Sequence, residues 1–169
     1  MKLARSIKIV SREYVLPLAV AVAIVFPLRS SLADWYDVPT GSMKPTIMEG
    51  DRIVAIKAAY DLKVPFTTRH IAKWADPELG HIVIVYSPHD GKRLVKRIGA
   101  VPGDSFGGSV VPQGKYAILG DNTEHSFDSR YFGLVDRRQI VGRAVGVAFS
   151  RDMENWHLPR KERWCRKLN

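Results

Sequence analysis

Two hydrophobic patterns divide the chain. Near the start, residues 15–28 (VLPLAVAVAIVFPL) form an uncharged apolar run, preceded by Lys2, Arg5, Lys8 and Arg12 and closed by Arg29. From Val38 onward the apolar positions come in short blocks. Residues 52–57 (RIVAIK) alternate, and residues 82–86 (IVIVY) are a short continuous run bounded by Gly80 and Ser87-Pro88. Residues 94–98, 116–119 and 140–149 are further runs of strand length. Alternation and short β-branched runs between turn residues predict strands. The turns are marked by Pro39-Thr40-Gly41, Glu49-Gly50-Asp51, His89-Asp90-Gly91, Pro102-Gly103-Asp104 and Pro112-Gln113-Gly114. Five or six strands punctuated in this way predict an all-β domain, a small barrel-like sheet. Residues 60–79 are less regular, and the pattern there predicts either a short helix around 70–74 or an aromatic loop near a bilayer. The tail, residues 159–169 (PRKERWCRKLN), is basic and is expected to be loosely ordered.

At 1.5 Å per residue the strict N-terminal run spans about 21 Å, short of a hydrocarbon core of about 30 Å. Extended over residues 14–36 it is long enough, provided Arg29 reaches back to the headgroups. The leading cations then place the N-terminus in the cytoplasm, and Trp35 and Tyr36 suit an interfacial anchor. A cleaved signal peptide fits as well, with Ser31-Leu32-Ala33 as a small-x-small site. In both readings the rest of the chain is exported.

Composition narrows the class. Of 169 residues, 46% are hydrophobic and 25% charged, which excludes a mainly disordered chain and fits one domain of ordinary size. The single cysteine, Cys165, rules out an intramolecular disulfide and a Cys-rich zinc site. A net charge of +9 points to an anionic partner, nucleic acid or anionic lipid. The histidines at 70, 81, 89, 125 and 157 show no metal-ligand spacing.

Three places carry candidate chemistry. In a strand, Lys96 shares a face with Leu94 and Ile98. An amine held among apolar side chains loses its proton more easily and can serve as a general base, whereas on an edge strand it would simply be solvated. Ser42 lies between Pro39 and Pro45 and follows Gly41, a stiff setting for a nucleophile but also an ordinary polar turn. Residues 120–133 crowd Asp121, Asn122, Ser126, Asp128, Ser129 and Arg130 together, as a network that fixes a site would. His125, between Asp121 and Asp128, leaves a Ser/His/Asp triad open.

Taken in order, Gly-Ser-Met-Lys-Pro-Thr (41–46), Gly-Asp-Arg-Ile-Val (50–54), Lys-Arg with Pro-Gly-Asp (96–97, 102–104) and Gly-Asp-Asn…Ser-x-Asp-Ser-Arg-x-x-Gly (120–133) resemble the motif set of bacterial type I signal peptidases, which use a Ser/Lys dyad. The resemblance runs from about residue 14 to about residue 148. It implies a membrane-anchored serine endopeptidase that removes signal peptides after Ala-x-Ala-like sites. Ser42 is then the nucleophile and Lys96 the general base. Thr40, where serine is commoner, and the Ser42 N–H supply the oxyanion hole. Ser126 orients the lysine, Asp128 and Arg130 form a structural ion pair, and Asp121 faces Arg97. Tyr36, Val38, Ile47, Ile53 and Val95 fall at the family's substrate-pocket positions. His125 has no role in such a dyad, and no metal or cofactor is implied.

The expected organisation is a cytoplasmic N-terminus (1–13), a transmembrane anchor and link (14–36), a β-rich catalytic core (37–150) and a basic tail (151–169). The resemblance implies a bacterial inner-membrane protein, single-pass, with its core on the outer face. Exported preproteins and membrane lipid are its expected partners and nucleic acid is not; the sequence does not specify contacts with translocation machinery. The chain is short. The extra β domain of long members is absent between Val101 and Val111, and Leu79-Gly80-His81 lacks the usual aspartate after glycine. Three alternatives stay open: a pilin-processing or conjugative-transfer peptidase with a dedicated substrate, a self-cleaving repressor-type protease (which would carry a helix-turn-helix not seen here), and a catalytically silent basic protein at the membrane.

Overall fold

The computed structural model describes residues 14–18, 20, 32–63, 70–153 and 158–168. In β6 (Arg93–Ala100), Lys96, Ile98 and Ala100 are buried on one face at the strand period of two. β5 (Ile82–Tyr86) is buried on both faces, as its unbroken apolar run requires. The long β11 (Ile140–Ser150) carries register shifts against both of its main neighbours, and such bulges bend a sheet.

With β1 (Ala33–Asp37), β2 (Asp51–Ile56), β9 (Lys115–Leu119) and β10 (Val135–Asp136), these strands form one sheet in the order β1-β2-β11-β5-β6-β9-β10. β12 (Arg166–Lys167) pairs with β11 as well, and every pairing in the sheet is antiparallel. Two further hairpins pair β3 (Asp61–Lys63) with β4 (His70–Lys73), and β7 (Ser105–Phe106) with β8 (Ser109–Val110). The expectation of an all-β core holds.

One cluster of buried side chains gathers Tyr36, Val38, Met43, Ile47, Ile53 and Ile84, with Val95 against it. A second gathers Tyr60, Val83, Val85, Ile98, Ile118 and Ile140 on the opposite side chains of β5 and β6. Both faces of β5 and β6 are thus covered, and the register shifts of β11 bend the sheet around them.

Two expectations are corrected. Residues 70–73 form a strand rather than a helix. β3 and β4 pair from Asp61↔Lys73 to Lys63↔His70, and buried Asp61 is fixed by Arg137 Nη2 at 2.6 Å. The tail is docked rather than loose. Pro159 bridges Arg151, β12 pairs with β11, and Leu168 is buried in the first cluster.

Of the expected membrane anchor, residues 14–18 and 20 are helical or near-helical and exposed. Residues 19 and 21–31 lie outside the described residues, as does Ser31 of the small-x-small site. Among the described residues no helix is long and apolar enough to cross a membrane. Trp35 and Tyr36, taken as interfacial, lie in β1 and pair with Val54 and Ile53. Trp35 is exposed and Tyr36 is buried.

Candidate active site

β6 has two different edges. Arg93 to Arg97 pair with β5, but β9 joins the other side only from Arg97 onward. The β9-side edge of residues 93–96 therefore has no strand partner among the described residues. A groove of about 500 Å³ lies there, lined by Arg93, Leu94 and Val95 from β6 and by Trp35, Tyr36 and Asp37 from β1. These strands are far apart in the sheet order, so the shared groove is a product of the curl. Val38, Pro39, Thr40, Ser42 and Met43 continue the β1 wall.

Ser42 opens a turn spanning residues 42–46. Its carbonyl accepts the Asn122 N–H at 3.1 Å, and the Gly41 carbonyl accepts Asn122 Nδ2 at 3.2 Å. Sequence reasoning placed Asn122 in a polar network but missed this role.

Lys96 is 2% exposed. Its Nζ donates to Ser126 Oγ at 2.9 Å, and Ser126 Oγ donates to Asp128 Oδ2 at 2.6 Å. Among the described residues, the hydrogen bond Lys96 Nζ makes goes to Ser126 Oγ and not to Ser42 Oγ. Desolvation lowers the amine to about 8, the nearby Asp128 charge opposing that fall. Asp128 is itself buried, which alone would raise it. The Arg130 guanidinium, the Gly120 N–H and the Ser126 hydroxyl outweigh burial and hold its carboxyl well below the usual range. Asp128 thus stays ionised and anchors Ser126, while Lys96 can shed its proton near neutral pH.

Gly120 joins the two halves. A Cβ there would collide with Ser126 Oγ and would meet the Ser42 carbonyl oxygen at 2.5 Å. The nucleophile candidate's backbone and the lysine's partner therefore press on the same α-carbon, from which any side chain is barred. Arg97 grips Asp121 through Nε at 2.9 Å and Nη2 at 2.8 Å, and its Nη1 donates to the Gly80 carbonyl at 2.8 Å. That bidentate pair ties the start of the 120–133 segment to β6.

The structure brings Ser42, Thr40, Tyr36, Val38 and Val95 to the groove, and Lys96, Ser126, Asp128 and Arg130 into one network. Ile47 and Ile53 do not line the groove; they are fully buried in the core behind it. His125 is exposed in a 3-10 turn. The arrangement suits attack by a hydroxyl at an extended peptide, assisted by a buried amine.

The family described as "Signal peptidase, peptidase S26" matches residues 11–107 and 105–149. "Probable signal peptidase I-2" of Synechocystis is 30% identical over 174 residues, covering 83% of this chain and 71% of that protein. Signal peptidase I of Bacillus licheniformis is 27% identical over 175 residues, covering 81% and 88%. A crystal structure of a signal peptidase I from Enterococcus faecalis, 26% identical, aligns over 40% of this chain and 96% of that one with a TM-score of 0.37.

Proposed function

The chain belongs to the signal peptidase family, peptidase S26, and we propose that it is a membrane-anchored serine endopeptidase that removes signal peptides from exported preproteins after small-x-small sites. The observation that carries this reading is Lys96, buried on a strand face beside a groove that Ser42 lines, with its ammonium destabilised to about 8.

An extended preprotein adds as a strand along the free edge at residues 93–96, bonding through its backbone. Tyr36, Val38 and Val95 line the groove, and their apolar side chains select by size, here for alanine-sized residues. Neutral Lys96 takes the Ser42 hydroxyl proton as Oγ attacks the scissile carbonyl. The oxyanion that forms is met by the Ser42 N–H and the Thr40 hydroxyl, whose exposed position on the groove wall supports that role. As the C–N bond breaks, Lys96 returns the proton to the leaving amine. Water then hydrolyses the ester on Ser42, with Lys96 again as base. Ser126 and Asp128 hold the lysine's nitrogen in place throughout. The N-terminal segment is the anchor, with the core on the outer face of a bacterial inner membrane, against lipid.

The test is cleavage of an Ala-x-Ala preprotein by the detergent-solubilised full chain. Ser42→Ala and Lys96→Ala should each lower kcat/KM by at least ~10³-fold, the loss expected when part of a catalytic unit is removed. Parental activity in either variant refutes the dyad. Loss in His125→Ala with Lys96→Ala active would restore the triad.

A further inference from the structure

The tail lies beyond the family match, which ends at residue 149, yet it is bound to the turn that begins at Ser42. Arg163 is 8% exposed and Asp51 is fully buried. Arg163 Nη2 reaches Asp51 Oδ2 at 2.6 Å, and Nε reaches Oδ1 at 3.1 Å. The same Nη2 also donates to the Thr46 carbonyl at 3.0 Å, inside the turn. Asp51 Oδ2 in turn accepts the Met48 N–H at 2.9 Å.

Three residues earlier in the tail, Arg160 donates from Nη2 to the carbonyls of Glu49 and Arg151. Leu168 packs in the same cluster as Met43 and Ile47. The carbonyls of Thr46 and Glu49 are thus held from the tail directly, and the Met48 amide through Asp51, the carboxylate that Arg163 grips. On its other side the turn is held at Gly41 and Ser42 by Asn122, from the segment that carries Ser126.

We infer that the C-terminal segment 158–168 is a positioning clamp for the nucleophile, with Arg163 as its centre: it fixes the depth and register of the Ser42 turn against the Lys96–Ser126 network. The inference rests on Ser42 being the nucleophile and adds what sets its position. Arg163 touches no reacting atom, so its effect falls on the rate of attack rather than on groove binding or on the lysine's titration. A displacement of about 1 Å at a reacting centre costs on the order of 10²-fold in rate.

The experiment compares preprotein cleavage across pH, with thermal midpoints, for the full chain, Arg163→Met, Arg163→Lys, the double variant Asp51→Asn/Arg163→Met, and Ser42→Ala. The double variant removes both charges and so strands neither in the core. The clamp predicts a kcat about 10²-fold below the parent in the double variant, KM within about threefold, and an unmoved basic limb. Arg163→Lys should recover part of that rate, because one ammonium can serve only part of the fork. A folded double variant with parental kcat overturns the inference, as does a loss carried by KM or a displaced limb. If the double variant does not melt cooperatively, Arg163→Lys decides. A lowered kcat at a near-parental midpoint supports the clamp, and a parental kcat rejects it. Ser42→Ala separates the two readings. If it is inactive while the double variant is parental, only the clamp fails; if it is active, the nucleophile assignment fails and the clamp falls with it.

Discussion

An ammonium at 2% exposure is an energetic burden on the fold, and Lys96 carries it in exchange for a base that works near neutral pH. Lys96→Met should raise the thermal midpoint at pH 7 while abolishing preprotein cleavage, a trade of activity for stability. A calorimetric midpoint at or below the parent's would count against that burden. In the parent, kcat/KM should climb as pH rises through about 8, because only the neutral amine accepts the Ser42 proton. A rate that is flat from pH 6 to 9 would exclude Lys96 as the titrating base. Gly120 is the other single residue on which the site depends. Gly120→Ala drives a methyl into the Ser42 carbonyl oxygen, a backbone atom that cannot rotate away. Cleavage should fall by about 10²-fold or more, and single-turnover kinetics should place the loss before release of the leaving segment.

Among the elements, β6 does two jobs because its halves differ in what pairs with them. The half beyond Arg97 is closed by β9, and the half before it is open to a substrate strand. Opposite that open edge, Val38 is 4% exposed and stands at the groove wall. Val38→Ala should let valine replace alanine before the scissile bond, since one or two methyl groups in an apolar pocket decide about 1–3 kcal/mol. A panel of preproteins with Ala, Val and Leu at that position reads this directly, and an unchanged preference would remove Val38 from the pocket. The alternation in residues 52–57 and the apolar runs at 82–86, 94–98, 116–119 and 140–149 were enough to locate the main strands, because half-buried and buried strands write their environment into every second residue or into all of them. The shorter pairs β3–β4, β7–β8 and β12 left no such mark. Two to four residues hold too few apolar positions for a period, and their place depends on partners distant in the chain, such as Arg137 for Asp61.

For the whole molecule, the buried titrating groups set how stability follows pH. Asp51, Asp121 and Asp128 are each held low in the fold, burial being outweighed by hydrogen-bonded arginines, so the stability they confer is present above about pH 4 and lost below it. Lys96 shifts stability in the same direction for a different reason, because burial penalises its charged form. The unfolded chain keeps that proton up to 10.5 and the folded one only to about 8, so stability grows as pH rises between those values. Burial raises Tyr36 and Tyr60 from 10.0 to about 12, so their contribution is lost once pH passes 10. Urea midpoints should therefore peak between about pH 8 and 10; a peak at pH 6 would contradict the burial of Lys96. The net positive charge also changes meaning at this scale. Arg163, Arg97, Arg130 and Arg137 are committed to internal carboxylates; these pairs are neutral, so the whole excess of +9 is left on the other basic side chains.

By itself the sequence determined the all-β class, the strand that carries Lys96, the face on which that lysine lies, and the polar residues that crowd around Ser126 and Asp128. These are local properties, set by a period of two and by short spacings along the chain. Only the tertiary structure decided that Ile47 and Ile53 lie behind the groove rather than in it, that Gly120 must be bare, and that the tail grips the turn of Ser42. Each of these is a meeting of segments far apart in sequence. What a side chain touches there depends on how the sheet curls, and no local pattern records that.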